Sequence, residues 1–542
     1  MHLAETLPES YAQIGVGQYG VFRALVIESP KLGDTWRGVA AAEVFHDNGP
    51  FQNPEKLWRF NLYAKVTHDL SANVKAWLSW MSYGSSWNGS GQIPARAVCG
   101  EGEKGQPSPE SLGGHCFDHF GSVDPTEGGS TQRHAAQLGL SGRWDDWQLD
   151  TMAYLVRYRF QLYSNFTFFA EDPVHGDEIE QDDSRLLGGV DAKVRRDSHV
   201  GRSSFGTTLG VQARVDGIEN ALYHDEARKR LDDRVHADIS ESALSAYVEE
   251  DARLTTWLRF VLGLRADRFD VSVDDRLESR APGSPRTSGT KGSTLFSPKA
   301  VAIISPVSEL DVFLDWGRGF HSNDARGAVF SKDPVTLLTP ATGYEAGVRV
   351  KPVKGLAFNA AVFLLDLDSE LVWSGDTGGT EASGATRRYG VELTGRYQLS
   401  NWLFADVEST IIKPRYRSNA GNGDAVALAP TFTFTTGFGI RPTFGDFTPF
   451  LSMRLKAITD RPATEDRQLT ADGFAIVDAN AGLRWKDVEA GVDVQNLFNA
   501  KWREVSFATD TRLRWEPNVV SGIHYSPGWP FTAIARLTVY WR

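Results

Sequence analysis

The chain has 542 residues, of which 41% are hydrophobic, 11% aromatic and 23% charged, with 52 Gly, 2 Cys and a formal net charge of −12. No stretch approaches the roughly 18 consecutive apolar residues of a membrane-spanning helix. Two cysteines exclude a disulfide-framework scaffold, the absence of Cys/His clusters at ligand spacing excludes zinc modules, and the acidic balance argues against a nucleic-acid partner.

The first ten residues, MHLAETLPES, carry neither a basic segment nor an apolar one, so no intact secretory signal is present. Gly15, Gly17 and Gly20 form a GxGxxG string. A dinucleotide site would need a helix to follow, but Val21–Glu28 offers no N-cap and reads as the return arm of a hairpin, so no cofactor is expected.

Beyond this point alternation with a period of two dominates. Leu258, Phe260, Leu262 and Leu264 alternate with Arg259, Gly263 and Arg265, and Leu310, Val312, Leu314 and Trp316 alternate with Asp311, Phe313 and Asp315. Ala475–Trp485 and Val488–Gln495 follow the same rule. In the last segment, Phe531, Ala533, Ala535, Leu537, Val539 and Trp541 oppose Thr532, Arg536, Thr538 and Tyr540. Each such strand has one oily face and one wet face.

Ten short turns are predicted, at Ser29–Trp36, His68–Ala72, Arg143–Trp147, Arg196–Val200, Asp251–Thr255, Ser305–Ser308, Lys351–Gly355, Gln398–Asn401, Arg441–Asp446 and Trp485–Val488. Eleven other connections alternate with them. The first, near Gln18–Gly20, is tight; the rest are long and polar, at Asp47–Leu57, Gly84–Gln132, Arg159–Arg185, Asp216–Ser240, Ser272–Ser293, Phe320–Pro340, Leu367–Thr386, Pro414–Ala427, Thr459–Gly473 and Val505–Pro530.

Together they join 22 strands and place the long loops on one edge. A soluble sandwich has no reason for that asymmetry, whereas a transmembrane barrel combines short inner turns, long outer loops, an apolar exterior and a polar lumen. The expected fold is therefore an all-β, 22-stranded antiparallel transmembrane β-barrel with short periplasmic turns and long extracellular loops. Asp311, Asp315, Glu489, Asp493 and Arg536 are expected to face the lumen, and Trp80, Trp316, Trp402, Trp485 and Trp541 to form interfacial girdles beside outer-membrane lipid.

Several loop residues carry candidate chemistry. Cys99 and Cys116 share one outer loop and read either as a disulfide or, with His115 and His119, as metal ligands; the Gly-rich setting favours the disulfide. Glu171, Asp172, Asp177, Glu178, Glu180, Asp182 and Asp183 form an acidic loop that reads as solvated charge or a Ca²⁺-bridging surface. His321, Asn323, Asp324 and Arg326 at the rim either contact a ligand, with the Arg326 fork suited to carboxylate, phosphate or catecholate oxygens, or hold a loop in place. Trp87, Phe117, Phe120 and Trp373 could stack on an aromatic chelator or pack the loops. No GxSxG, P-loop or HExxH motif points to an enzyme.

Segments across the chain resemble the TonB-dependent outer-membrane receptors: GPFQNPEKLWRFNLYAKVT (Gly49 to Thr67), FGSVDPTEGG (Phe120 to Gly129), WGRGFHSNDARG (Trp316 to Gly327), VQNLFNAKW (Val494 to Trp502) and PGWPFTAIARLTVYW (Pro527 to Trp541). The resemblance implies uptake of a scarce nutrient, first of all a ferric siderophore or other metal chelate caught by the extracellular loops. It also implies an N-terminal plug and, through it, the TonB energy-coupling protein as partners. Neither plug nor coupling segment is visible in this sequence, and it ends Trp541-Arg542 rather than on an aromatic residue. The expectation is a barrel over residues 11–542, with residues 1–10 as a remnant of the plug–barrel junction; a passive porin-like channel or a plugless receptor fragment is the alternative.

Overall fold

The computed structural model describes residues 5–30, 32–101, 115–278, 287–330, 334–374, 379–382, 384–418 and 423–541; for 371–374 and 379–382 it describes the backbone alone. Twenty-two long strands form one sheet in which each pairs antiparallel with its neighbours in the chain. The first strand, Ser10–Gly17, then pairs with the last, Thr532–Trp541, and closes the cylinder. Closure leaves no sheet edge whose amides and carbonyls would have to be satisfied by lipid.

The alternation is realised strand by strand. In Thr532–Trp541, Leu537 and Val539 are 51% and 42% exposed on the outer wall. Arg536 points inward, 3.5 Å from Glu489 and 3.3 Å from Asp493 across the adjoining strand. An arginine at the lipid midplane would cost about 2–4 kcal/mol, so this orientation is set by the surroundings. Large lumen-facing rings lie on glycines of the next strand: any side chain at Gly439 would run into Phe404, at Gly482 into Phe450 and at Gly347 into Phe313. The Gly-rich composition thus serves the packing of the inner wall.

Ten connections of two to seven residues lie at one end of the barrel, and all eight connections of thirteen residues or more leave the other. Trp36, Trp144, Trp147, Trp257, Trp402, Trp485 and Trp541 ring the short-turn end with outward, exposed side chains, as an interfacial girdle requires. Trp80 and Trp316 are also exposed but sit within the bodies of strands Val74–Asn88 and Leu310–Ser322, so they do not belong to that girdle.

Three connections depart most from their expected bounds. Between Asp216 and Ser240 the chain makes no loop: strands Ser203–Glu226 and Lys229–Arg253 continue to a two-residue turn in which Ala227 and Arg228 both adopt positive φ, 52° and 61°. Glu178, Glu180, Asp182 and Asp183 likewise belong to strand Glu178–Val200 and not to an acidic loop. Above the lipid both faces of a strand can be wet, so the hydrogen-bond ladder persists after the apolar alternation has stopped. The last long connection spans 496–531 and contains a hairpin of its own, Arg503–Thr511 with Val520–Pro527.

Candidate functional site at the loop-bearing mouth

The loops at this end pack into a folded cap. The hairpin of the last connection adds Ile93–Pro94 from a distant loop as a third strand, through His524 and Tyr525. Ile93, Ala95, Val98, Ala463, Ala471, Ile523 and Tyr525 form its core, and Ala97, Phe168 and Leu513 a second, smaller one. Four connections from around the barrel therefore share one interior.

A fully buried ion pair lies between these cores. Arg96 donates from Nε and Nη2 to the two carboxylate oxygens of Glu516, each at 2.8 Å, and from Nη2 to Thr511 Oγ1 at 2.9 Å. The Leu513 amide donates to Glu516 at 2.8 Å. His524, 2.9 Å from Thr511 Oγ1, is pushed down to about 3 by burial and by the Arg96 charge, so the ring is neutral.

Cys99 and Cys116 are joined by a disulfide at the edge of the cap. Beside it, Glu101 accepts hydrogen bonds from His119 at 2.8 Å and from the Tyr525 hydroxyl at 2.9 Å, and pairs with Lys501 and Arg503. Burial pushes the Glu101 carboxyl up, but the bonds from His119, Lys501 and Tyr525 outweigh it and hold it well below the usual carboxylate range. The Tyr525 hydroxyl is driven upward by burial and by the Glu101 charge. His119 is therefore committed to Glu101, and no metal-holding group of His, Cys, Asp and Glu occurs among the described residues.

The predicted aromatics divide between wall and cap. Phe117 packs against both cores and lies 5.7 Å from Trp515, whose ring is also 5.2 Å from that of His115 at a tilt of 34°; this group is partly exposed. Phe120 meets Phe51 and His119 edge-on. Trp87 is not in a loop but in strand Val74–Asn88, paired with Gly129. Trp373 lies in the backbone hairpin Leu371–Ser374 with Gly379–Ala382, and its side chain lies outside the described residues. Trp515 was missed by sequence reasoning, since nothing in its neighbourhood distinguishes it from any loop tryptophan.

The described residues of the 323–337 connection, 323–330 and 334–337, fold inward instead of standing over the rim. Its short helix, Ala325–Val329, sets Ala325 and Ala328 on Ile218, Ile239, Val271 and Val273 of the inner wall. Asp324 caps the helix by accepting from the Arg326 amide at 2.8 Å, and it also receives the Arg326 fork at 2.7 and 3.2 Å. Asn323 donates to Thr339 Oγ1 at 3.2 Å and to the Thr336 carbonyl, while among the described residues its own Oδ1 is buried without a partner. His321 Nε2 lies 3.3 Å from the Ser369 carbonyl.

Asn323, Asp324 and Arg326 line a cavity of about 410 Å³ together with Arg185, Arg214 and Glu241 of the wall. Asp183 engages Arg185, and Asp216 engages Arg214 at 2.7 Å, so opposite charges alternate around the cavity. His321 does not line it. The wall residues could not be grouped from sequence because they come from three separate strands.

Deeper in the lumen, Asp315 and Glu345 stand directly opposite each other on adjacent strands. Among the described residues neither has a cationic partner, and Asp315 Oδ1 is buried without a hydrogen bond.

The sequence from residue 102 to 497 matches the family described as TonB dependent receptor-like, beta-barrel. No curated protein matches the chain in sequence. Among solved structures it is similar to the ferric yersiniabactin uptake receptor FyuA from Yersinia pestis, with a TM-score of 0.76 at 12% identity, covering 100% of this chain and 81% of that one. The siderophore receptor PiuA from Acinetobacter baumannii gives a TM-score of 0.81 at 11% identity, over 99% and 82% of the two chains. The ferric-catecholate import receptor Fiu from E. coli gives 0.78 at 14%, over 98% and 81%. With the closed 22-stranded wall, its girdle and its one-sided loops, the matched span identifies the chain as a member of the TonB-dependent receptor β-barrel family of the bacterial outer membrane.

Proposed function

We propose that the protein is a receptor for energised uptake of a metal chelate, first of all a ferric siderophore, captured at the loop-bearing mouth and released inward through a plug coupled to TonB. The observation that carries this reading is the folded cap. A passive pore gains nothing from joining four loops around a common core, whereas a receptor needs an ordered surface that presents rings and cations to its ligand.

The partly exposed His115, Phe117 and Trp515 group, together with the Lys501 and Arg503 cations paired with Glu101, suits a chelate that is both aromatic and anionic. Phe120, Trp87, Trp373 and the rim set His321, Asn323, Asp324 and Arg326 complete the proposed ligand-contacting residues. The roles of the similar structures, ferric yersiniabactin uptake and ferric-catecholate import, favour the same cargo class.

The test is uptake of radiolabelled ferric chelates by cells expressing the gene, with and without collapse of the proton-motive force. Saturable uptake that stops on collapse is expected. Non-saturable entry that survives it, accompanied by equal entry of neutral sugars, would establish the passive channel instead.

A further inference from the structure

At the short-turn end of the lumen, the feet of five consecutive strands, from Trp36–Asp47 to Trp147–Ser164, enclose a cavity of about 600 Å³. The barrel wall supplies four cations, Arg37, Lys65, Lys75 and Arg143, against two carboxylates, Asp69 and Asp150. A third carboxylate, Glu5, enters from the segment preceding the first strand. Its oxygens lie 2.7 Å from Lys75 Nζ and 3.3 Å from Arg37 Nε. Lys65, only 7% exposed and 5.2 Å over the Trp77 ring, adds its charge.

The segment that delivers Glu5 is anchored along its length. The Leu7 amide donates to Ser29 Oγ at 2.9 Å, and Arg484 donates to Glu9 at 2.8 Å. From Ser10 to the strand bearing Lys75 is four strands, about 19 Å at ~4.8 Å per strand. The five residues from Glu5 to Ser10 reach at most about 17–18 Å when fully extended. The segment therefore crosses the strand feet, with the Glu5 side chain completing the reach to Lys75.

We propose that this cavity is a carboxylate-binding site whose resident ligand is Glu5, which makes the 5–9 segment a displaceable latch at the short-turn end of the lumen. Removal of Glu5 takes away the carboxylate that pairs with Lys75 and Arg37 in a partly desolvated recess, and a small polycarboxylate can supply another. The site is separate from the loop-bearing mouth, and the inference holds whatever the cargo.

The test uses the purified full chain in detergent, with a nitroxide on Leu7→Cys; the two native cysteines are paired, so the label is unique. The label is expected to be immobile in the parent chain, and mobile in Glu5→Gln and Lys75→Gln. Tricarballylate, a tricarboxylate that needs no metal, should mobilise it saturably without any further substitution. By calorimetry Glu5→Gln should bind tricarballylate roughly tenfold tighter than the parent, because the resident carboxylate no longer competes. Lys75→Arg should restore immobility. An unchanged spectrum in Glu5→Gln overturns the latch, and mobilisation by sodium chloride at equal ionic strength overturns the carboxylate site. Heat-modifiable migration on gels shows that each variant retains a closed barrel.

Discussion

Arg96 and Glu516 are separated by 420 residues in the chain, yet they meet in a two-pronged ion pair at 0% and 1% side-chain exposure. The pair ties the loop after strand Val74–Asn88 to the last long connection. Removing one partner leaves a buried charge alone, which costs about 3–5 kcal/mol, whereas an apolar pair of similar volume is tolerated. Arg96→Ala and Glu516→Ala should each open the cap to trypsin at the arginines of 496–531. The gel shift of the folded barrel should persist, and the double variant Arg96→Met, Glu516→Leu should regain protection. Equal digestion of parent and single variants would show that the pair does not hold the cap.

Acid should loosen the same region in a defined window. The His524 ring is held down to about 3 by burial and the Arg96 charge, against an ordinary value near 6.5. Its folded form thus resists a proton that the unfolded cap accepts, so stability is complete above about pH 6.5 and falls as pH drops toward 3. Glu101, held below its ordinary range, acts in the same direction at the lower part of the window. His524→Asn should flatten the acid dependence of cap proteolysis between pH 6.5 and 4.5, above the Glu101 titration; an unchanged profile would assign it elsewhere.

The sequence discloses the wall more fully than the cap for a physical reason. Lipid enforces a two-residue alternation on every strand, so Leu537 and Arg536 declare their faces without any knowledge of their neighbours. Above the membrane that constraint ends, and the polar run through Ala227 and Arg228 resembles a loop although it is a continuous hairpin. The cap depends on contacts such as Ile93 with Tyr525 and Arg96 with Glu516, which join segments hundreds of residues apart and leave no period. For the same reason Arg326 is conspicuous in sequence as a free fork, but the structure places it on Asp324, two residues away.

The Cys99–Cys116 disulfide closes a loop of sequence separation 17, for which the chain-entropy model gives about 3 kcal/mol. Its effect should be confined to the cap, since the barrel strands on either side are tied by their own ladders. Cys99→Ser with Cys116→Ser should therefore speed proteolysis between Gly100 and Asp118 while leaving the heat-modification temperature of the barrel unchanged. A drop in that temperature would mean that the loop contributes to barrel closure.

The opposed Asp315 and Glu345 predict a gain of stability on neutralisation. Like charges directly across a sheet pair are unfavourable by about 0.2–1 kcal/mol, and no cation among the described residues offsets them. Asp315→Asn should raise the heat-modification temperature of the barrel slightly. Glu345→Lys should raise it further by turning repulsion into a cross-strand ion pair. If a domain carrying arginine or lysine fills the lumen, the same substitutions should instead weaken its retention, measured as extraction of that domain by urea from the closed barrel. A lowered barrel temperature in both variants would show that the two carboxylates share a proton or a cation and support each other.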